Sequence, residues 1–549
     1  MPPTAAGRVD AMRPAAPALP SVWTVAAVGV AGLLAVPVLT VLASLLRPHA
    51  SVWAHLWRTQ LVELAWNTAL LLAGVGAGTL VVGTGLAWLV VAYRFPGRSV
   101  FEWALILPLA VPAYVVGFAF LGLFEYAGPV QGALRAWLGP GVWLPELRSR
   151  GGVILMMTLV FYPYVYLLAR AAFRAQGAAT FETARSLGRT RLGAFVAVVL
   201  PLARPALAAG AALAMMEALA DFGTVATFGY RTFTEAIYRV WYGMFDRVAA
   251  TQLASLLLLF ALALLALERS SRGRARFTHT HRRGAGIAPE PLRGGRAAAA
   301  AGACLAVLGG GFLIPVGQLL VWAAEAIASG RVAPDLPRLA LNTIILAAAA
   351  ALATLILAVI LAYAGRLEPS PTVRHAVELA TMGYALPGSM IAVGVLLPMA
   401  WLDHRIAPLL PDPGRLLLTG SAAGLVAAYL VRFLAVSYQT VRASLTAIPA
   451  SLDDAARSLG AHAGRALLRV HLPIMRGGLL TALALVFVET MKEMPATLLL
   501  RPFGLNTLAV DVWERTSEAQ WPEAAVPALA IVGVGLIPVI LAIHLAGRR

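Results

Sequence analysis

The chain has 549 residues, of which 60% are apolar and 13% are charged, and its mean hydropathy is +0.79. Soluble domains are nearer half apolar and one quarter charged, so this composition indicates a protein embedded in a membrane. The net charge of +17 does not indicate nucleic-acid binding, because the arginines lie in loops between apolar runs and form no stripe interleaved with exposed aromatic residues.

Twelve apolar runs follow one another along the chain, each long enough to cross about 30 Å of hydrocarbon as a helix. The first run is too long for a signal-peptide core and lacks a cleavage site, so we expect it to remain as a helix. The predicted spans of the first half are 22–46, 63–92, 101–124, 151–173, 202–227 and 251–267. Those of the second half are 297–324, 339–363, 375–401, 418–438, 474–500 and 523–545.

The two halves are copies of one unit. Ala-Arg-Ser-Leu-Gly occurs at 184–188 and again at 456–460, an offset of 272 positions. Further identities keep this register without an insertion: Leu200-Pro201 and Leu472-Pro473, Arg204 and Arg476, Glu217 and Glu489, and Trp241 and Trp513. The pattern predicts a tandem duplication of a six-helix unit.

Arginines are concentrated in alternate loops, which predicts that those loops face the cytoplasm and that both chain termini lie there. An even number of spans per half makes the repeats parallel, related by an axis along the membrane normal. The segment 268–296 carries eight arginines with glycine and proline throughout, as expected for a flexible linker. The predicted organisation is a cytoplasmic tail at 1–21, a first repeat at 22–267, a basic cytoplasmic linker at 268–296 and a second repeat at 297–549.

Each repeat has one polar segment between its fourth and fifth spans. Helix-forming residues, an early acid, a glycine and a later proline predict a short helix, a bend and a second helix that enters the membrane. Small alanines on the short helix would let a groove of another protein approach closely. The residues concerned are Glu182, Thr183, Ala184, Gly188, Leu200 and Pro201 in the first copy, and Asp454, Ala455, Ala456, Gly460, Leu472 and Pro473 in the second.

The pattern acid-Ala-Ala, three residues, Gly, nine residues, aliphatic, one residue, Leu-Pro resembles the cytoplasmic loop of ATP-binding-cassette (ABC) importer permeases. Thr183 departs from it in the first copy and Asp454 in the second, and both keep size or charge. The resemblance implies an all-α integral membrane protein of type I importer (MetI-like) architecture, with about 12 transmembrane helices in two parallel six-helix repeats. It also implies a place in the cell inner (plasma) membrane.

The same resemblance implies partners. Two ABC ATPase subunits would dock on the two polar segments, and a periplasmic or extracellular substrate-binding protein would deliver cargo on the other face. The chain itself is not expected to be an enzyme, because a Walker-type loop needs Gly-Lys-Ser/Thr and the only lysine, Lys492, follows Met491. ATP would be used by the partner subunits, and no cofactor is expected on this chain.

Four acids follow the polar segments: Glu217, Asp221, Glu489 and Glu493. In each pair the two acids are four apart and share a helical face. Because an acid at the centre of a bilayer costs roughly 2.5–3.5 kcal/mol, these side chains are expected to face a wet cavity or the interface. One hypothesis is a ring of carboxylates along the path of a hard cation. The alternatives are that they reach external water, pair with arginines, or, for Glu489, pair with Lys492.

Two stretches resemble fused permeases for ferric iron. They are Ala220-Asp221-Phe222-Gly223-Thr224 with Thr232 to Tyr238, and Lys492 to Phe503 with Thr507 to Val510. Fused ABC permeases for thiamine, phosphonate or polyamine share the docking pattern, so these cargoes stay open. A secondary transporter driven by an ion gradient is the alternative of another class, and it would need no docking segments.

Metal ligation and catalysis have little support in the sequence. The lone cysteine, Cys304, excludes an internal disulfide and a site built from several thiolates. His279 and His281 lie in a basic loop without a nearby acid, and His471 is expected on the surface of the second polar segment. No metal site is assigned.

Overall fold

The structure is a computed structural model that describes residues 21–46, 50–139, 141, 145–176, 178–272, 287–409 and 416–547. The predicted tail up to residue 20 and the linker histidines lie outside the described residues. The helices of the first half are α1 (Val22–Leu45), α2 (Ala50–Thr59), α3 (Leu61–Ala92), α4 (Arg98–Ala104), α5 (Ala113–Phe124), α6 (Pro129–Leu138), α7 (Arg150–Ala175), α8 (Ala178–Ser186), α9 (Arg191–Ala194), α10 (Leu200–Ala220), α11 (Gly223–Thr227), α12 (Phe233–Tyr238) and α13 (Arg247–Arg272).

The second half repeats this order. Its helices are α14 (Gly294–Leu308), α15 (Ile314–Ala328), α16 (Leu336–Leu367), α17 (Pro371–Ala380), α18 (Gly388–Ile406), α19 (Ala422–Thr446), α20 (Ser451–Ser458), α21 (Ala463–Ala466), α22 (Leu472–Ile474), α23 (Arg476–Lys492), α24 (Pro495–Leu500), α25 (Leu508–Ser517) and α26 (Trp521–Gly547).

The predicted all-α membrane fold is confirmed. In the described part of the chain, eleven helices are long and apolar enough to span a bilayer. The number is twelve if Ala463–Ile474 and Arg476–Lys492, which meet at 79°, form one bent span. Because six spans separate α8 from α20, both lie at one end of the bundle, which we call the docking end.

The two halves interlock through their first spans. Helix α1 packs against α16, α17 and α18 of the second half. Helices α14 and α15 in turn pack against α4 and α5 of the first half, and α15 also packs against α26. Most of the buried residues of both halves therefore form one continuous apolar core.

Four spans are interrupted near the middle of the molecule. The third and ninth spans contain 3-10 turns, at Leu107–Ala110 and Met382–Ala385, followed by Pro112 and Pro387. These prolines hold the residues before them in extended backbone, which stops the helix. The predicted continuous spans 202–227 and 474–500 are wrong in this respect, because α10 ends at Ala220 and α23 ends at Lys492.

Three π-helical turns accompany prolines. They cover Phe195–Val199, Gly309–Leu313 and Leu467–His471, and the prolines that follow are Pro201, Pro315 and Pro473. A proline lacks an amide N–H and its ring clashes with the carbonyl four residues earlier, so a wider turn there relieves the helix. The Leu-Pro element of each polar segment thus marks a local widening at the start of a span.

The end of the predicted linker is structured. Strand β1 (Tyr93–Arg94) pairs in parallel with β2 (Glu290–Pro291). Arg191 holds the same segment, donating to the carbonyls of Ala92 and Ala288 at 2.8 and 2.6 Å. The expectation of a flexible linker therefore does not apply to residues 287–293, which are fastened to the docking end of the first half.

Candidate functional site

Both predicted docking helices form, and a glycine ends each of them. Helix α8 is followed by Gly188 at φ +86° and α20 by Gly460 at φ +75°. The amide of Arg189 donates to the carbonyl of Ala184 at 3.2 Å, and the amide of Ala461 donates to that of Ala456 at 3.0 Å. This left-handed closure favours glycine, which explains why a glycine follows each of the two short helices.

Two of the three motif alanines are not available to a partner on the surface of the short helices. Ala184 and Ala456 are buried in this chain, at 8% and 7% exposure. The most exposed large apolar side chains of α8, α20 and the turns that end them are Leu187 and Leu459, at 79% and 87% exposure. Sequence reasoning missed them, although the signal was available, since a leucine precedes the glycine in both copies. Glu182, Thr183, Asp454 and Ala455 are exposed on the same two helices.

The first docking helix is fastened by aromatic packing. Phe181 of α8 is 2% exposed and lies against Trp88, with ring centroids 5.9 Å apart. Trp88 stacks on Phe195 at 4.3 Å and meets Phe173 edge-on at 6.0 Å. Burial of such rings accounts for most of the attachment of α8, and the Arg191 guanidinium lies over the Phe181 ring, 5.4 Å from its centroid.

The second docking helix is fastened by an ionic triad of Arg366, Asp453 and His471. Arg366 Nε and Nη2 donate to Asp453 Oδ2 at 3.0 and 2.5 Å, and His471 Nε2 lies 2.9 Å from Asp453 Oδ1. The expectation that His471 lies on the surface is wrong, since its exposure is 0%. The π-helical turn before Pro473 directs its ring inward, and its Nδ1 lies 3.1 Å from the carbonyl of Ala466.

The triad has no counterpart in the first half. Helices α3 and α16 both have 32 residues and begin at Leu61 and Leu336. Arg366 therefore corresponds to Val91, and the 272 offset relates Asp453 to Phe181 and His471 to Val199. All three first-half residues are apolar and buried. The same helix is thus held by apolar packing in one half and by charges in the other.

The four acids after the docking segments meet at one cavity of about 290 Å³. It lies where the interrupted spans of the two halves converge. Two cations, Arg432 and Lys492, share its wall. Its lining includes Leu109, Tyr114, Tyr164, Glu217, Asp221, Tyr384, Arg432, Glu489, Lys492 and Glu493.

Two of the acids cap short helices. Asp221 accepts from the amide and the hydroxyl of Thr224 at 2.7 and 2.8 Å, which closes the first turn of α11. Glu493 accepts from the amides of Ala496 and Thr497, both at 3.0 Å, at the start of α24. Carboxylates satisfy amide donors at helix starts, so these two acids stabilise the breaks after α10 and α23.

The other two acids face the opposite half of the chain or a cation. Glu217 accepts from the hydroxyl of Tyr384 at 3.2 Å. Glu489 Oε1 lies 3.4 Å from Lys492 Nζ. This is the ion pair with Lys492 that the sequence analysis gave as one alternative for Glu489. The Glu489 side chain is 43% exposed, whereas that of Glu493, which lies 3.8 Å from Arg432 Nη1, is 1% exposed. In the described residues no three His, Cys, Asp or Glu side chains are grouped to hold a metal ion.

Comparison with known proteins shows which family has this sequence pattern. Residues 79–271 match the family model described as binding-protein-dependent transport system inner membrane component. The chain is 28% identical to the Fe(3+)-transport system permease protein FbpB 2 of Haemophilus influenzae, over 88% of this chain and 90% of that protein. It is 32% identical to the sulfate transport system permease protein CysT of Escherichia coli, over 39% of this chain and 78% of that one.

A third relative is the molybdenum transport system permease protein ModB of Escherichia coli, 30% identical over 31% of this chain and 73% of that protein. The similarity to a ferric permease covers 88% of this chain and so includes both halves, while the sulfate and molybdenum permeases match 39% and 31% of it. The chain belongs to the family of binding-protein-dependent transport system inner membrane components, the permease subunits of ABC importers.

Proposed function

We propose that the chain is the channel-forming subunit of an ATP-driven importer of ferric iron. The observation that carries the cargo class is the cavity, where four carboxylates face two cations. An excess of negative charge attracts cations and repels oxyanions such as sulfate or molybdate. The full-length similarity to a ferric permease supports the same cargo.

In this proposal the docking end faces the cytoplasm, and both chain termini lie on that side. Two ATPase subunits bind there, one against α8 and one against α20, and hydrolyse the ATP that this chain cannot use. Their closure moves the two docking helices. A substrate-binding protein docks at the opposite end and releases cargo into the cavity. Because the first spans are exchanged between the halves, motion of one half is transmitted to the other.

Neutralising Glu217 and Glu489, the two cavity acids that do not cap a helix, tests whether the cargo is a cation. In Glu217→Gln with Glu489→Gln, ferric uptake by proteoliposomes containing the purified partners should fall about 10- to 100-fold. The reason is that contacts to charged groups are worth about 1.5–3 kcal/mol. Assembly with the ATPase should not change. Glu325→Gln, an exposed acid paired with Arg331 outside the cavity, is the matched control. Unchanged ferric uptake by the double variant would remove these acids from the path.

The capping role of Asp221 predicts a different pattern. Asp221→Asn keeps an oxygen that accepts from Thr224, so it should retain transport and thermal stability. Asp221→Ala should lower the free energy of unfolding by about 1 kcal/mol, the usual cost of a lost cap. Thermal denaturation of the purified chain measures the difference. Equal damage by asparagine and alanine would mean that the charge contacts cargo and that the cap is incidental.

A further inference from the structure

The only lysine of the chain is built into the cavity wall. Lys492 is the last residue of α23, and its side chain is 14% exposed. Its Nζ donates to the carbonyl of Leu109 at 3.1 Å and lies 3.4 Å from Glu489 Oε1. Leu109 belongs to the interrupted third span, in the first half. The ammonium therefore neutralises an acid of its own half and ties that half to the other.

An equivalent contact crosses between the halves at the related place. Leu109 and Tyr384 are the third residues of the corresponding 3-10 turns. Tyr384 Oη donates to Glu217, the repeat counterpart of Glu489, at 3.2 Å. Both contacts join the turn of one half to the acid-bearing helix of the other. Only the contact made by Lys492 contains a positive charge, since Tyr384 is neutral. A contact between the halves at this place therefore does not require an ammonium group.

We propose that Lys492 is a specificity-determining residue whose ammonium occupies the Glu489 carboxylate between cargo ions. A tethered ammonium competes for that carboxylate at an effective concentration of about millimolar or more. A monovalent ion gains no more from Glu489 than the lysine does and so stays out. A multivalent cation gains more, since Coulomb attraction scales with its charge, and it displaces the flexible side chain. The cavity then excludes the abundant monovalent cations while it passes its cargo.

The inference rests on the proposed cation path, but its test uses no iron. The probe is rubidium, and the measurement is its leak through proteoliposomes that contain the full chain with its ATPase partners. Lys492→Met should raise the leak about tenfold or more, and Lys492→Arg should leave it low. Lys492→Gln keeps a donor for the Leu109 carbonyl without the charge, and it should leak like the methionine variant. A glutamine variant as tight as the unchanged protein would overturn the proposal.

A second measurement uses the unchanged protein and covers the case in which the variants fail to assemble. Because Lys492 is the only lysine, its modification by a water-soluble amine reagent can be followed by mass spectrometry. Addition of lanthanum(III), a trivalent cation used here without a chelator, should speed this modification about tenfold, because the ammonium leaves Glu489. An unchanged rate contradicts displacement. If rubidium leaks in the variants and no ferric uptake occurs in the unchanged complex, the cargo proposal fails while the role of Lys492 stands.

Discussion

Replacing both Leu187 and Leu459 by aspartate should release the ATPase subunits and abolish ATP-driven uptake. These side chains are 79% and 87% exposed at the ends of the docking helices, and the partner is expected to bury them. An apolar anchor at the centre of an interface contributes about 2 kcal/mol or more, so each change should weaken association about 30-fold. Co-purification of the ATPase with the tagged chain measures the effect.

The two sites also allow a graded control. Leu187→Met with Leu459→Met preserves apolar volume and should leave binding nearly unchanged. Each single aspartate variant should retain one ATPase contact, bind more tightly than the double variant, and hydrolyse ATP with poor coupling to uptake. If the double aspartate variant retained both ATPase subunits, the exposed leucines would not be part of the docking surface.

Breaking the ionic triad should detach the second docking helix. Arg366→Ala leaves the partly buried carboxylate of Asp453, 17% exposed, without its guanidinium partner, and the cost should lie below the roughly 3–5 kcal/mol of a fully buried pair. Hydrogen exchange of residues 451–459 should become faster, and uptake should be lost although the membrane spans stay folded. Mass spectrometry of exchanged peptides can locate the change.

The first half indicates which apolar residues could replace the triad. The triple variant Arg366→Val, Asp453→Phe and His471→Val installs the residues found at the corresponding first-half positions, Val91, Phe181 and Val199, and removes all three polar members of the triad. Exchange of an ionic triad for apolar residues of similar volume is often neutral or stabilising, so the triple variant should be less damaged than Arg366→Ala alone. If the triple variant exchanged faster than the single one, the triad would serve something other than attachment of α20.

The repeat, the span count and the docking helices could be predicted because each depends on local pattern. Hydrophobic runs determine the spans, and the conformation at Gly188 and Gly460 requires glycine at a fixed place. The break after Glu493 has a local signal that the sequence analysis did not use, because Pro495 takes the first position of α24. The break at Asp221 has no proline beside it, and its capping partner Thr224 becomes evident only when the chain has turned.

The anchors of the docking helices depend on contacts between distant parts of the chain. Arg366 and Asp453 are 87 positions apart, and no periodicity links them. A comparison of the halves in the 272 register shows Asp453 in place of Phe181 and His471 in place of Val199, and these two exchanges are sequence clues to the different anchors. The convergence of four acids with Arg432 and Lys492 likewise follows from the tertiary fold, because the two cations have no repeat counterparts.

Ferric uptake by the reconstituted complex is the most direct test of the proposed function. Proteoliposomes should contain the chain with ATPase subunits and a binding protein from the same organism, and be supplied with radioactive ferric iron outside and ATP inside. Uptake that requires both ATP and the binding protein, and that excess sulfate or molybdate does not reduce, is the expected result. Uptake that ignores ATP depletion and collapses with an ionophore, or ATP-driven uptake of an oxyanion in place of iron, would contradict it.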